Sequence, residues 1–109
     1  MDSREERLAK NEILFREFNE RIEEAAKGLD VDGHVFEFIC ECSDTDCVVR
    51  LRLTLELYER VRSDPTQFVV APGHEAPSIE TVVTRTDAYE IVRKEGRAGE
   101  RAAVEDPRG

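Results

Sequence analysis

The stretch Val35-Phe36-Glu37-Phe38-Ile39-Cys40-Glu41-Cys42, followed by Ser43-Asp44-Thr45-Asp46 and then Cys47-Val48-Val49-Arg50-Leu51-Arg52-Leu53, decides how this chain folds. Phe36, Phe38, Cys40 and Cys42 alternate with Glu37 and Glu41, which is the period of a strand with one face buried. Residues 43–46 are turn formers, and beyond them Val49, Leu51 and Leu53 alternate with Arg50 and Arg52. The segment therefore reads as an antiparallel hairpin bent at its cysteines.

All three cysteines of the chain fall within this hairpin, and one of the two histidines follows in the turn-rich run Ala71-Pro72-Gly73-His74. Three thiols and an imidazole are the donor set of a structural zinc ion. Cys40 and Cys42 share a strand face but stand roughly 6.6 Å apart at normal strand rise, so their side chains must lean together or the strand must kink. Cys47 returns after the turn toward the first two, and His74 ends the next strand near the same tip. The expected ligands are Cys40, Cys42, Cys47 and His74, with Asp44 or Asp46 as oxygen substitutes for the imidazole. His34 lies six residues before Cys40, about 20 Å away along an extended strand, and is the poorer candidate. The order C-x-C-x4-C with a distant P-G-H is not a standard finger, ribbon or RING spacing.

Other uses of these residues compete with metal binding. Cysteine also serves as a small buried hydrophobe. Cys42 and Cys47 could close a bridge across the turn, making the chain a thiol redox sensor, although Glu41, Asp44 and Asp46 would raise thiol pKa values and disfavour the reactive thiolate. Glu75 beside His74 could act as a general base in a small metal-dependent enzyme. No H-E-x-x-H, Walker A, G-x-G-x-x-G or G-x-S-x-G pattern accompanies it.

Upstream of the hairpin, Ser3 and Glu6 form a capping box that opens a long helix over 3–28. Leu8, Phe15, Phe18, Ile22, Ala25 and Leu29 recur at three- and four-residue steps, with Asn11 in the one polar gap, and acid-first pairs such as Glu12–Arg16 and Glu23–Lys27 support the helix. This stripe is expected to pack on the chain's own sheet, with a homodimer seam or a partner groove as the other uses of its heptad spacing. Downstream, Thr54 caps a short helix through Leu57, Tyr58 and Val61 that must end near Ser63-Asp64-Pro65. Phe68-Val69-Val70 reads as a strand, and Thr81-Val82-Val83-Thr84 with Tyr89-Glu90-Ile91-Val92 as a second hairpin. After Gly96 the apolar content falls, so 96–109 is expected to be a flexible tail.

The expectation is an α+β fold, with a long N-terminal helix on a small, mainly antiparallel sheet of four to five strands and one short inserted helix, organised as a single domain over 1–95 with its sheet region at 35–95. Twenty-five acidic residues against 16 basic ones give a net charge of -9, a field that repels phosphate backbones, so no nucleic-acid partner is expected. The apolar runs are too short for a membrane span, and no apolar leader core follows the charged start. A cytoplasmic setting with reduced thiols is the default. The functional expectation is a small acidic protein with a structural zinc site, acting as a protein-interaction or regulatory module through its N-terminal helix, toward a protein partner or a second copy.

Overall fold

The computed structural model describes residues 3–28 and 33–108. Helix α1 (Ser3–Lys27) is followed by strands β1 (Val35–Ile39) and β2 (Arg50–Thr54), helix α2 (Leu55–Arg62), strands β3 (Gln67–Val70), β4 (Glu80–Arg85) and β5 (Glu90–Lys94), and helix α3 (Gly96–Val104). The architecture is α+β, as the patterning predicts. The five strands form two antiparallel sheets rather than one, a β1–β2 hairpin and a three-stranded sheet in the order β3-β5-β4.

Local chemistry explains most element boundaries. The Thr54 hydroxyl accepts from the Leu57 backbone N–H at 3.1 Å, which caps α2, and the helix stops at Ser63 two residues before Pro65. Phe38 of β1 pairs across the ladder with Leu51 of β2, and both enter the core with Leu53, Tyr58, Val61 and Phe68. Phe38 stacks on the Tyr58 ring at a centroid distance of 4.6 Å, joining the hairpin to α2. β1 does not simply end at Ile39. The Cys40 N–H still reaches Val49 O at 3.2 Å, whereas the Glu41 N–H has crossed to Val69 O of β3 at 2.9 Å. The chain thus passes from one sheet to the other within the cysteine cluster.

Helix α1 packs on a face different from the expected apolar stripe. Its buried residues are Ala9, Glu12, Ile13, Arg16, Asn19, Glu23 and Ala26. Phe18 and Ala25 are exposed, Leu8, Phe15 and Ile22 are half-buried, and Leu29 lies outside the described residues. The helix is turned by one position, about 100°, because its polar side chains find partners inside. Arg16 donates to the carbonyls of Pro65 at 2.6 Å and Ala102 at 2.8 Å, and its guanidinium lies over the Phe68 ring. Glu12 pairs with Lys94, which also holds Glu80, and all three side chains are buried. The expected Glu12–Arg16 support pair gives way to these interior partners, while Glu23–Lys27 stands at 3.5 Å.

The stretch expected to be a flexible tail carries α3. Its docking relies on small residues and charge rather than on large apolar side chains. Ala98, Gly99 and Ala102 are buried, and a Cβ on Gly99 would come within 2.7 Å of Lys94 O. Beyond the helix, Arg108 reaches Glu20, Glu23 and Glu59, and Arg62 pairs with both Glu20 and Asp106.

Burial holds the Glu12 carboxyl well above its usual range, against the opposing pull of Lys94. A carboxyl raised in the folded state binds more protons there than in the unfolded chain, so its contribution to stability is lost as pH rises from the ordinary carboxylate range through the elevated folded value. Denaturant titrations between pH 5 and pH 9 are expected to show wild type losing stability with rising pH relative to Glu12→Gln, which mimics the protonated group. Parallel curves would show that the buried triad takes up no proton.

Candidate metal centre

Two turns and a sheet crossing build the site. Cys40 and Cys42 leave β1 in extended backbone on the same side, both buried, with Glu41 pointing the other way. The Asp44 carboxylate accepts the Asp46 N–H at 2.9 Å while the Cys47 N–H donates to Asp44 O at 3.1 Å. This Asx-type turn returns Cys47 to the first two thiols. On the facing side, the His74 N–H closes a turn on Ala71 O at 3.0 Å with Pro72 and Gly73 at its centre. Gly73 has a φ of 83°, so the pair suits a type II turn, and the turn aims the imidazole at the sulfurs.

Ligand atoms of Cys40, Cys42, Cys47 and His74 all lie within 4.8 Å of one another. The Nδ1 of His74 is 3.6 Å from the Cys40 sulfur and 3.7 Å from the Cys47 sulfur. Zinc bond lengths of about 2.3 Å to sulfur and about 2.0 Å to nitrogen place tetrahedral S and N ligands roughly 3.5 Å apart, and two sulfurs roughly 3.8 Å apart. The two imidazole–sulfur separations match a tetrahedron of that size, and the remaining ones, all within 4.8 Å, need at most a small inward movement. The Ala71 N–H donates to the Cys40 sulfur at 3.1 Å and so orients this thiol.

The residues weighed as alternatives stand elsewhere. His34 is exposed and packs edge-on against Phe36. The Asp44 carboxylate serves its own turn, and Asp46 is exposed. Glu75, the suggested general base, pairs with Arg85 at 3.2 Å. Glu41 was expected to add negative charge beside the thiols, but its carboxylate is fully buried on the opposite side. There it accepts from Asn19 at 2.8 Å, Tyr58 at 2.9 Å and the Val69 N–H at 3.0 Å.

With Glu41 turned away, the thiols titrate by mutual contact. The hydrogen bond from Cys40 pulls Cys42 down to about 5, aided by His74, while that same bond and burial push Cys40 up. Burial also raises Cys47. The expectation of uniformly raised thiols therefore fails at Cys42, where neighbouring donors stabilise the thiolate that a cation would use.

The network that backs the site escaped the sequence reading. Asn19 both donates to Ile39 O and accepts from the Ile39 N–H, each at 2.8 Å, so α1 satisfies the free edge of β1 just before Cys40. Its only sequence signal is an asparagine within a helix otherwise read through its apolar stripe. Comparison of the chain with family models, with curated proteins and with solved structures gives no match.

Gly73→Ala places a Cβ where φ is positive but no atom lies within 4 Å of it. Only the backbone cost of about 1–2 kcal/mol remains, and thermal melts should show a fall of several degrees. Gly73→Asn should lose less, since asparagine tolerates this conformation. Equal melting of all three proteins would sink the claim that this turn is held in its left-handed form.

Proposed function

We propose that Cys40, Cys42, Cys47 and His74 hold one structural zinc ion in a small acidic protein-interaction module. The observation that carries this reading is the convergence of three sulfurs and Nδ1 within 4.8 Å, drawn from two segments far apart in sequence. Soft thiolate ligands favour zinc over hard cations such as magnesium or calcium. Four protein donors fill a tetrahedral shell and leave no position for substrate or activated water, which supports a structural role over a catalytic one. The ligands join the β1–β2 hairpin to the β3–β4 connection, so the ion would tie together the two sheets. Among the described residues no helix is long and apolar enough to cross a membrane. Thiolates kept free for a metal require a reducing compartment, which supports a cytoplasmic setting.

Metal analysis of protein purified without added zinc is expected to give about one zinc per chain, lost on chelation and on acidification as protons compete for the thiolates. Cys47→Ser and His74→Ala should each lower zinc retention at least tenfold, since one of four ligands is removed. Cobalt substitution should give the absorption of a tetrahedral thiolate site. Protein isolated without metal, carrying an easily formed Cys42–Cys47 bridge, would replace this reading with the thiol sensor.

A further inference from the structure

Seven large apolar side chains are exposed among the described residues, two of them on α1 and two just before β2. Phe18 is 50% exposed and Leu14, one helical turn before it, 47%. Val48 is 80% exposed, and Val49 also faces solvent. Phe18 borders a hollow of about 250 Å³ that is lined by Phe15 and Phe18 of α1, by Ile39, Cys40 and Cys47, and by Arg50 of β2. It opens on the side of α1 that the expected apolar stripe would have covered. The one-position turn of the helix leaves these aromatic residues partly free.

We propose that this hollow is the docking site for an acidic segment of a partner protein, which seats an apolar side chain against Phe15, Phe18 and Ile39 and offers a carboxylate to Arg50. The proposal rests on the interaction-module reading and names its surface and the chemistry of its partner. Charge complementarity selects the occupant. Arg50 stands opposite Ile39 in the β1–β2 ladder, and among the described residues its side chain makes one hydrogen bond, a long one to Val48 O at 3.4 Å. Arg52 lies two residues further along the same exposed face. Among the described residues neither guanidinium has an ion-pair partner, unlike Arg60, Arg62, Arg85, Arg101 and Arg108 and like Arg4, Arg7, Arg21, Arg93 and Arg97, but of the unpaired arginines Arg50 is the one that lines this hollow. In a chain with net charge -9, an arginine beside an apolar hollow and without a carboxylate is a recognition feature for an anion carried next to an apolar group.

A second copy fits less well. No acidic side chain lines the hollow, so placing two copies of it face to face would bring Arg50 against Arg50. Nucleic acid could supply an anion, but the single arginine lining the hollow does not make the basic groove that tracks a phosphate backbone. Cys40 and Cys47 belong to both the lining and the metal cluster, so a bound metal would stiffen the pocket and lower the ordering cost of docking.

The test is selection of a random 12-residue peptide display library on the full-length protein with its purified metal content, followed by fluorescence anisotropy with a synthesised enriched peptide. Enriched sequences should place leucine, isoleucine or phenylalanine beside aspartate or glutamate. Phe18→Ala and Arg50→Glu should each weaken binding about tenfold or more, while zinc content and melting temperature stay at the wild-type level. No enrichment, a basic consensus or binding indifferent to both substitutions would overturn the proposal. So would displacement of the peptide by a single-stranded oligonucleotide, or light scattering that shows a dimer dispersed by Phe18→Ala. Zinc measured on the same samples separates the two readings. Peptide binding by a protein free of zinc would retain this surface and discard the metal, and zinc-loaded protein without peptide binding would do the reverse.

Discussion

One buried carboxylate holds the structure together where its parts meet. Glu41 sits between two candidate ligands and takes hydrogen bonds from α1 through Asn19, from α2 through Tyr58 and from β3 through the Val69 N–H. Burial alone raises its pKa, and these donors, with the field of Arg62, pull against that penalty. Removing any donor would leave a desolvated charge, which is costlier than the loss of an average hydrogen bond. Alternation in extended backbone then sends Cys40 and Cys42 to the other side. The position of the thiols follows from the position of this acid.

A second polar layer explains why α1 turns its aromatic residues partly outward. Arg16 and Lys94 both lie within 5 Å of the Phe68 ring centroid, at 4.6 and 4.8 Å, and Lys94 also pairs with Glu12 and Glu80. A helix presenting only Leu8, Phe15, Phe18 and Ile22 to the sheet would bury more apolar surface, but it would strand these groups without partners. Charges in an interior specify a single arrangement more sharply than apolar contacts, which tolerate sliding. The core here is correspondingly mixed, and small residues such as Ala9, Ala98 and Ala102 let the helices approach closely enough for the polar contacts to form.

The parts of the fold governed by local periodicity were legible in the sequence. The hairpin at the cysteines, the Thr54 cap, the stop before Pro65 and the β4–β5 pair all follow from alternation and turn chemistry within short windows. The four side chains that converge at the candidate centre were also legible, since cysteine and histidine are rare in this chain and their turns are marked by aspartate, proline and glycine. What escaped was interior polarity. Glu12, Arg16, Asn19, Glu23 and Glu41 look like surface residues in any hydropathy pattern, and their burial depends on partners as distant as Lys94, Ala102 and Arg108. The docking of α3 escaped for the same reason, because alanine, glycine and ion pairs leave no apolar run to notice.

The spacing of the cluster along the chain sets an order of events. Three sulfurs lie on one short hairpin that can close early, whereas His74 joins only once β3 has aligned beside Glu41. A cation caught by the hairpin alone would have an incomplete and exchangeable shell. The last coordination bond would form with the joining of the two sheets, so escape of the ion and parting of the sheets would share a barrier. Metal exchange rate would then act as a clock for subglobal opening, slow in the assembled molecule and fast in any form whose sheets have separated.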